Sequence, residues 1–180
     1  MLEHHAGPRR VGAYTVPGLS RAVAAQVHLD AAFSAALPGA IYAQPLLVPG
    51  AMGGPDLLLA ATEGNAVGAF DPATGRAVWT CTLGVPVPRS SLPCGNIDPL
   101  GVTGTPIVDP ARRLMYLDAM TTPDGGATKR HLLYALRVDD GSIEPGWPID
   151  LAAALAGAGM KFEPSVQNQR GALALEGGRL

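Results

Sequence analysis

The chain has 180 residues and a formal net charge of −2, from 13 basic and 15 acidic side chains. So balanced a surface lacks the cationic excess that nucleic-acid binders need, which argues against such a partner. At 47% hydrophobic and 16% charged, the chain is too apolar for disorder. No apolar run approaches the roughly 18 residues of a membrane span, so no transmembrane segment is expected. The 23 glycines and 17 prolines exceed a fifth of the chain, which excludes a helical bundle and favours short strands joined by turns.

Residues 1–37 form a lead segment. Its start, MLEHHAGPRR, is polar and carries no apolar stretch of the kind a signal peptide requires. The adjacent His4 and His5 read as tag-like rather than metal-binding. Residues 20–37 are alanine-rich and fit two forms. One is a short helix capped by Ser20 and ended by Pro38-Gly39. The other is a surface closing strand with Val27 and Leu29 on one side. From residue 40 the texture changes. Segments 40–48, 56–64, 65–75 and 76–83 read as four strands of an antiparallel meander, with a loop at 49–55. In the turn DPATG, Asp71 is placed to accept backbone N–H bonds, Pro72 fixes φ, and Gly75 supplies a left-handed conformation. Trp79 then falls on a buried face of the next strand.

The pattern recurs. GVTGTPIVDP (101–110) resembles IYAQPLLVPG (41–50), with Pro106 over Pro45. HLLYALRVDDG (131–141) matches NAVGAFDPATG (65–75), with Gly141 over Gly75. Segments 111–120 and 142–151 complete a second set of four strands, and Trp147 again follows the turn glycine. QRGALALEGG (169–178) begins a third unit. Four-strand repeats are the signature of propeller blades, which plainly run ~40–45 residues and close into rings of typically 4–8. Here the units are longer, with the excess in 84–100, 121–130 and 152–168. The expected fold is therefore all-β: a partial propeller of antiparallel four-stranded blades at about 40–83 and 101–151, with a third begun at 169–180. About two blades read as a fragment of a longer chain whose remaining blades are partners.

Cys81 and Cys94 flank a proline-rich turning segment. They read either as a disulfide, which implies an exported protein, or as two free thiols.

AFDPATGRAVW (69–79) resembles the repeat of the pyrroloquinoline-quinone (PQQ) type propellers, roughly A-x-D-x-x-T-G-x-x-x-W, with Asp71, Thr74, Gly75 and Trp79 at its fixed positions. YAQPLLV, AATEGNAVGAFDPATG, CGNIDPLGVTGTPIVDP, HLLYALRVDDG and FEPSVQNQRGALALEGG follow in order and are similar to secreted PQQ-repeat, quinoprotein-dehydrogenase-like proteins. The resemblance covers about 38–180. It implies that Trp79 and, less closely, Trp147 pack between blades, and that the protein is periplasmic or extracellular. Dehydrogenase members hold PQQ between a tryptophan and a disulfide of adjacent cysteines, over a calcium ligated by Glu and Asn, with an Asp as base. This sequence has no adjacent cysteine pair and no matching Glu–Asn–Asp set.

Four further groups remain. Asn96 and Asp98 fit either calcium ligation or a local turn. Asp139 and Asp140 precede Gly141 as turn formers. Gln167, Asn168, Gln169 and Arg170 either face a ligand or satisfy backbone groups of the loop before them. His28 and His131 sit in no partner motif and read as surface or half-buried residues. The expected function is a non-catalytic binding or scaffold module for a protein or carbohydrate, with no cofactor. The alternative is part of a PQQ-dependent oxidoreductase, with PQQ and calcium, whose catalytic blades lie outside this chain.

Overall fold

The computed structural model describes residues 1–180 apart from Pro8, Ala51 and Met52; the last two belong to the loop expected at 49–55. The architecture is all-β in character, with two four-stranded antiparallel sheets. The first comprises β1 (Leu46–Val48), β2 (Leu57–Ala61), β3 (Ala66–Phe70) and β4 (Ala77–Thr82). The second comprises β5 (Ile107–Asp109), β6 (Leu114–Thr121), β7 (Arg130–Arg137) and β8 (Ile149–Asp150). Strands follow one another in both, so each sheet is a plain meander.

Alternation along the strands decides which side chains meet. On the first sheet Leu46, Val48, Leu57, Leu59, Ala61, Val67 and Ala69 share one face. On the second, Val108, Met115, Leu117, Ala119, Tyr134 and Leu136 share another. These two faces form a single core, with Trp79 and Cys81 packed at its edge. Two polar ties cross it. The Tyr134 hydroxyl donates to the Leu83 carbonyl at 2.7 Å, and the Asn65 amide donates to the Met120 carbonyl at 3.0 Å.

The turns carry the sequence repeat. Asp71 Oδ1 accepts from the Ala73 and Thr74 amides at 2.8 and 3.1 Å, and the Gly75 amide donates to the Asp71 carbonyl at 2.8 Å. Thr74 Oγ1 accepts from the Arg76 amide at 3.3 Å. In the second sheet Asp140 Oδ1 takes the Ser142 amide at 2.9 Å, and the Asp139 carboxylate is paired with Arg113. Gly141 lies at φ +72, and a Cβ there would sit 2.5 Å from the Trp79 ring. Trp79 Nε1 donates to the Val138 carbonyl at 2.8 Å, so the first sheet's indole lies against the second sheet's turn. Trp147 packs on Tyr116, with ring centres 5.4 Å apart, and on Leu173 and Leu175 from the chain that follows.

Several elements differ from expectation. Residues 142–151 do not form a full fourth strand. Only Ile149–Asp150 and a single bridge at Ile143 pair with β7, because Pro145 and Pro148 have no N–H to donate to the ladder. Residues 20–37 hold only α1 (Arg21–Ala24), with Ser20 Oγ capping the Val23 amide at 3.2 Å. Val27 and Leu29 are exposed, so the closing-strand alternative is not formed. The first residues are tied down: Leu2 packs on the shared core and its carbonyl accepts from Val108 at 2.8 Å. The 169–180 unit is present as an extended segment whose Leu173 amide donates to the Thr105 carbonyl at 3.1 Å. Leu151–Gly157 forms α2, capped by Asp150. No helix among the described residues is long and apolar enough to cross a membrane.

Replacing Gly141 by Ala forces a methyl into the Trp79 ring at an unfavourable φ. We expect this to cost about 2 kcal/mol or more, against about 1–2 kcal/mol for Trp79→Phe, which orphans the Val138 carbonyl. Urea titrations of the three proteins measure both; an unchanged midpoint for Gly141→Ala would contradict the contact.

Candidate functional site

The far face of the second sheet carries its unusual chemistry. Along β6 the odd-numbered residues point into the shared core, so Tyr116, Asp118 and Met120 point the other way. On β7 His131 shares that face, paired in register with Met120 and therefore diagonal to Asp118. Met120 supports the 84–100 excursion, whose Val87, Leu92, Ile97 and Leu100 pack with it in a small core of their own.

His131 and Asp118 are 2% and 3% exposed. Nδ1 of the ring lies 2.6 Å from Asp118 Oδ2, and Nε2 lies 3.3 Å from the Gln167 carbonyl. Phe162 meets the ring edge-to-face at 5.6 Å. The other carboxylate oxygen, Asp118 Oδ1, is buried with no partner among the described residues. Burial favours the neutral ring, but the hydrogen bond and charge of Asp118, together with the Gln167 carbonyl, outweigh it. His131 therefore titrates above the ordinary histidine range.

Gln167 also lines a cleft of about 110 Å³ between segments 92–100 and 165–170. Leu92, Ile97, Leu100 and Val166 supply its apolar lining; Asn96, Gln167, Asn168 and Arg170 supply amides and a guanidinium. Asn168 Oδ1 accepts from the Thr103 hydroxyl at 3.1 Å, which leaves its NH₂ group available. Of the four residues read as ligand-facing, Gln167, Asn168 and Arg170 line the cleft, whereas Gln169 packs against Gly104 and bonds back to the Gly171 carbonyl. A larger groove of about 720 Å³ runs past Tyr116 and Trp147, but its guanidinium groups are already engaged: Arg113 with Asp139, Arg137 with Glu144 and Arg112 with Asp109.

Two expectations are corrected or narrowed. Cys81 and Cys94 are both free thiols. Cys81 faces the shared core from β4 beside Val67, whereas Cys94 is exposed on the excursion, so the side chains point to different environments. Asp98 makes a local turn, accepting from the Arg89 amide at 2.9 Å. Among the described residues, no three His, Cys, Asp or Glu side chains are grouped to hold a metal.

PQQ does not fit the residues present. Trp79 is covered by the Gly141 turn and its N–H is spent on Val138; Trp147 is packed on Tyr116; the two cysteines are separate. No step through that cofactor is derived.

The His131–Asp118 pair was not legible as a pair in the sequence. One signal pointed to it: Asp118 is the lone charge within the apolar run LMYLDAM, an unfavourable place for an unpartnered carboxylate. No protein-family model matches the chain, and no curated protein matches it either.

Burial pushes the Cys81 thiol pKa up, so that thiol should be slow to react. Titrating unreduced protein with a thiol reagent should show one fast thiol, Cys94, and a second that appears only on unfolding. Two thiols missing from the unfolded, unreduced chain would instead mean a disulfide.

Proposed function

We propose that this chain is a propeller-type repeat module that binds a carbohydrate through the cleft between segments 92–100 and 165–170. The observation that carries the reading is the composition of that cleft. Amides and one guanidinium surround an apolar lining, and the Arg170 side chain has no hydrogen-bond or ion-pair partner among the described residues. Amide and guanidinium groups exchange hydrogen bonds with sugar hydroxyls, while an apolar surface accepts the C–H face of a pyranose ring. Both walls of the cleft come from the long insertions between strands, where repeat proteins place their binding residues.

The propeller reading rests on the repeat itself. Each sheet is a four-stranded meander, the indole of the first lies on the turn of the second, and a third extended segment already lies beside Thr105. On this reading each sheet is a blade, Trp79 and Trp147 are its packing residues, and the protein acts by presenting loops from a rigid scaffold in the periplasm or outside the cell.

A glycan array probed with the purified chain and with Asn168→Ala and Arg170→Ala tests the reading. The expected result is saturable binding to a limited set of glycans, reduced about tenfold or more in either variant, each lost hydrogen bond to a charged or amide group being worth about 1–3 kcal/mol. Binding that survives both substitutions, or saturable PQQ binding with dye-linked alcohol oxidation, would overturn it.

A further inference from the structure

Both ring nitrogens of His131 face acceptors: Asp118 Oδ2 at 2.6 Å and the Gln167 carbonyl at 3.3 Å. A neutral imidazole carries one N–H and can donate to only one of them; the imidazolium donates to both. We propose that protonated His131 is a pH-sensitive latch, which clamps the 162–167 segment and one wall of the cleft onto the second sheet and releases them when it loses its proton.

Three features support this. First, the segment has little else to hold it. The turn Pro164–Val166 buries no side chain, and Ser165 bonds only to its neighbour Glu163 at 2.9 Å. Its far end is anchored independently, where the Thr103 hydroxyl meets Asn168 and the Gln169 carbonyl. Release is therefore confined to 162–167, with Thr103 as the fixed point. Second, loss of the proton turns the Nε2–Gln167 contact from a hydrogen bond into two facing lone pairs, because the surviving proton stays on Nδ1 beside the carboxylate. Third, Phe162 caps the ring and excludes water that would otherwise replace either partner.

The charged surroundings are simple. Asp118 on β6 is the carboxylate that faces the ring, and Met120 beside it is neutral. Helix α2 and the Pro164–Val166 turn carry no titratable side chain. Asp150 on β8 is spent capping α2. Lys161, Glu163 and Arg130 are exposed. The direction of the switch follows. The folded-state pKa is raised, so the latch is fully closed below the ordinary histidine pKa of about 6.5 and opens as pH rises through the raised value. No ligand is needed, so this inference stands or falls apart from the carbohydrate reading.

The test uses the full chain without ligand. Long-range proton–nitrogen NMR of the His131 ring reads its charge from about pH 5 to 9, and amide exchange of 162–167, corrected for intrinsic base catalysis, reads the clamp. The expected result is a doubly protonated ring at about pH 6, with protection of 162–167 falling about tenfold or more as the ring titrates, while β2 and β3 keep theirs. Asp118→Asn should move the ring midpoint down and the loss of protection with it. His131→Gln should leave the segment poorly protected at every pH. A neutral ring at about pH 6, or protection that does not follow its titration, overturns the proposal. The wild-type pair of measurements decides the matter even where a variant does not fold.

Discussion

The indole of Trp79 lies where a side chain on Gly141 would otherwise be, and this contact sets how closely the two sheets approach. Everything behind it depends on that spacing. Leu57, Leu59 and Val67 can share a core with Met115, Leu117 and Leu136 only if the sheets stand at the distance the indole and the bare turn allow. A half-buried indole contributes about 2–3 kcal/mol by area alone, and its N–H to Val138 adds a directional tie that apolar packing lacks. Tyr134 and Asn65 add two more such ties, to Leu83 and Met120, so relative sliding of the sheets would leave buried carbonyls unpaired.

With one face of the second sheet committed to that core, its other face is free to differ. There the alternation of β6 and β7 delivers Asp118 and His131 to the same side, under the 162–167 segment, while Met120 supports the 84–100 excursion. The two insertions that border the cleft thus rest on adjacent side chains of one sheet face. A change in the charge of His131 is felt by one wall and not by the other. The rigid sheet pair supplies the reference against which that wall moves.

The sequence announced the strands through turn chemistry more than through hydrophobicity. DPATG and VDDGS identify the β3–β4 and β7–β8 connections because Asp71, Asp140, Gly75 and Gly141 have only a few ways to satisfy a tight turn. The eighth strand was misjudged in extent, since Pro145 and Pro148 outweigh the apolar residues around them. The cysteine pair looked bridgeable by separation along the chain, yet β-alternation points Cys81 into the core, which sequence spacing alone does not reveal. The buried ion pair was hidden for a similar reason. Asp118 and His131 become neighbours only once the register of β6 on β7 is known, and a one-residue slip would separate them to opposite faces.

The central claim is that the two sheets form one cooperative unit through the shared core and the Trp79 contact. Residue-resolved amide exchange of the slowest protons in β2, β3, β6 and β7, followed across a urea series, measures this most directly. The account predicts that both sheets open with one free energy and one urea dependence, as a single unfolding event. Amides of β2 and β3 that exchange through a separate, cheaper opening, while β6 and β7 stay protected, would contradict it.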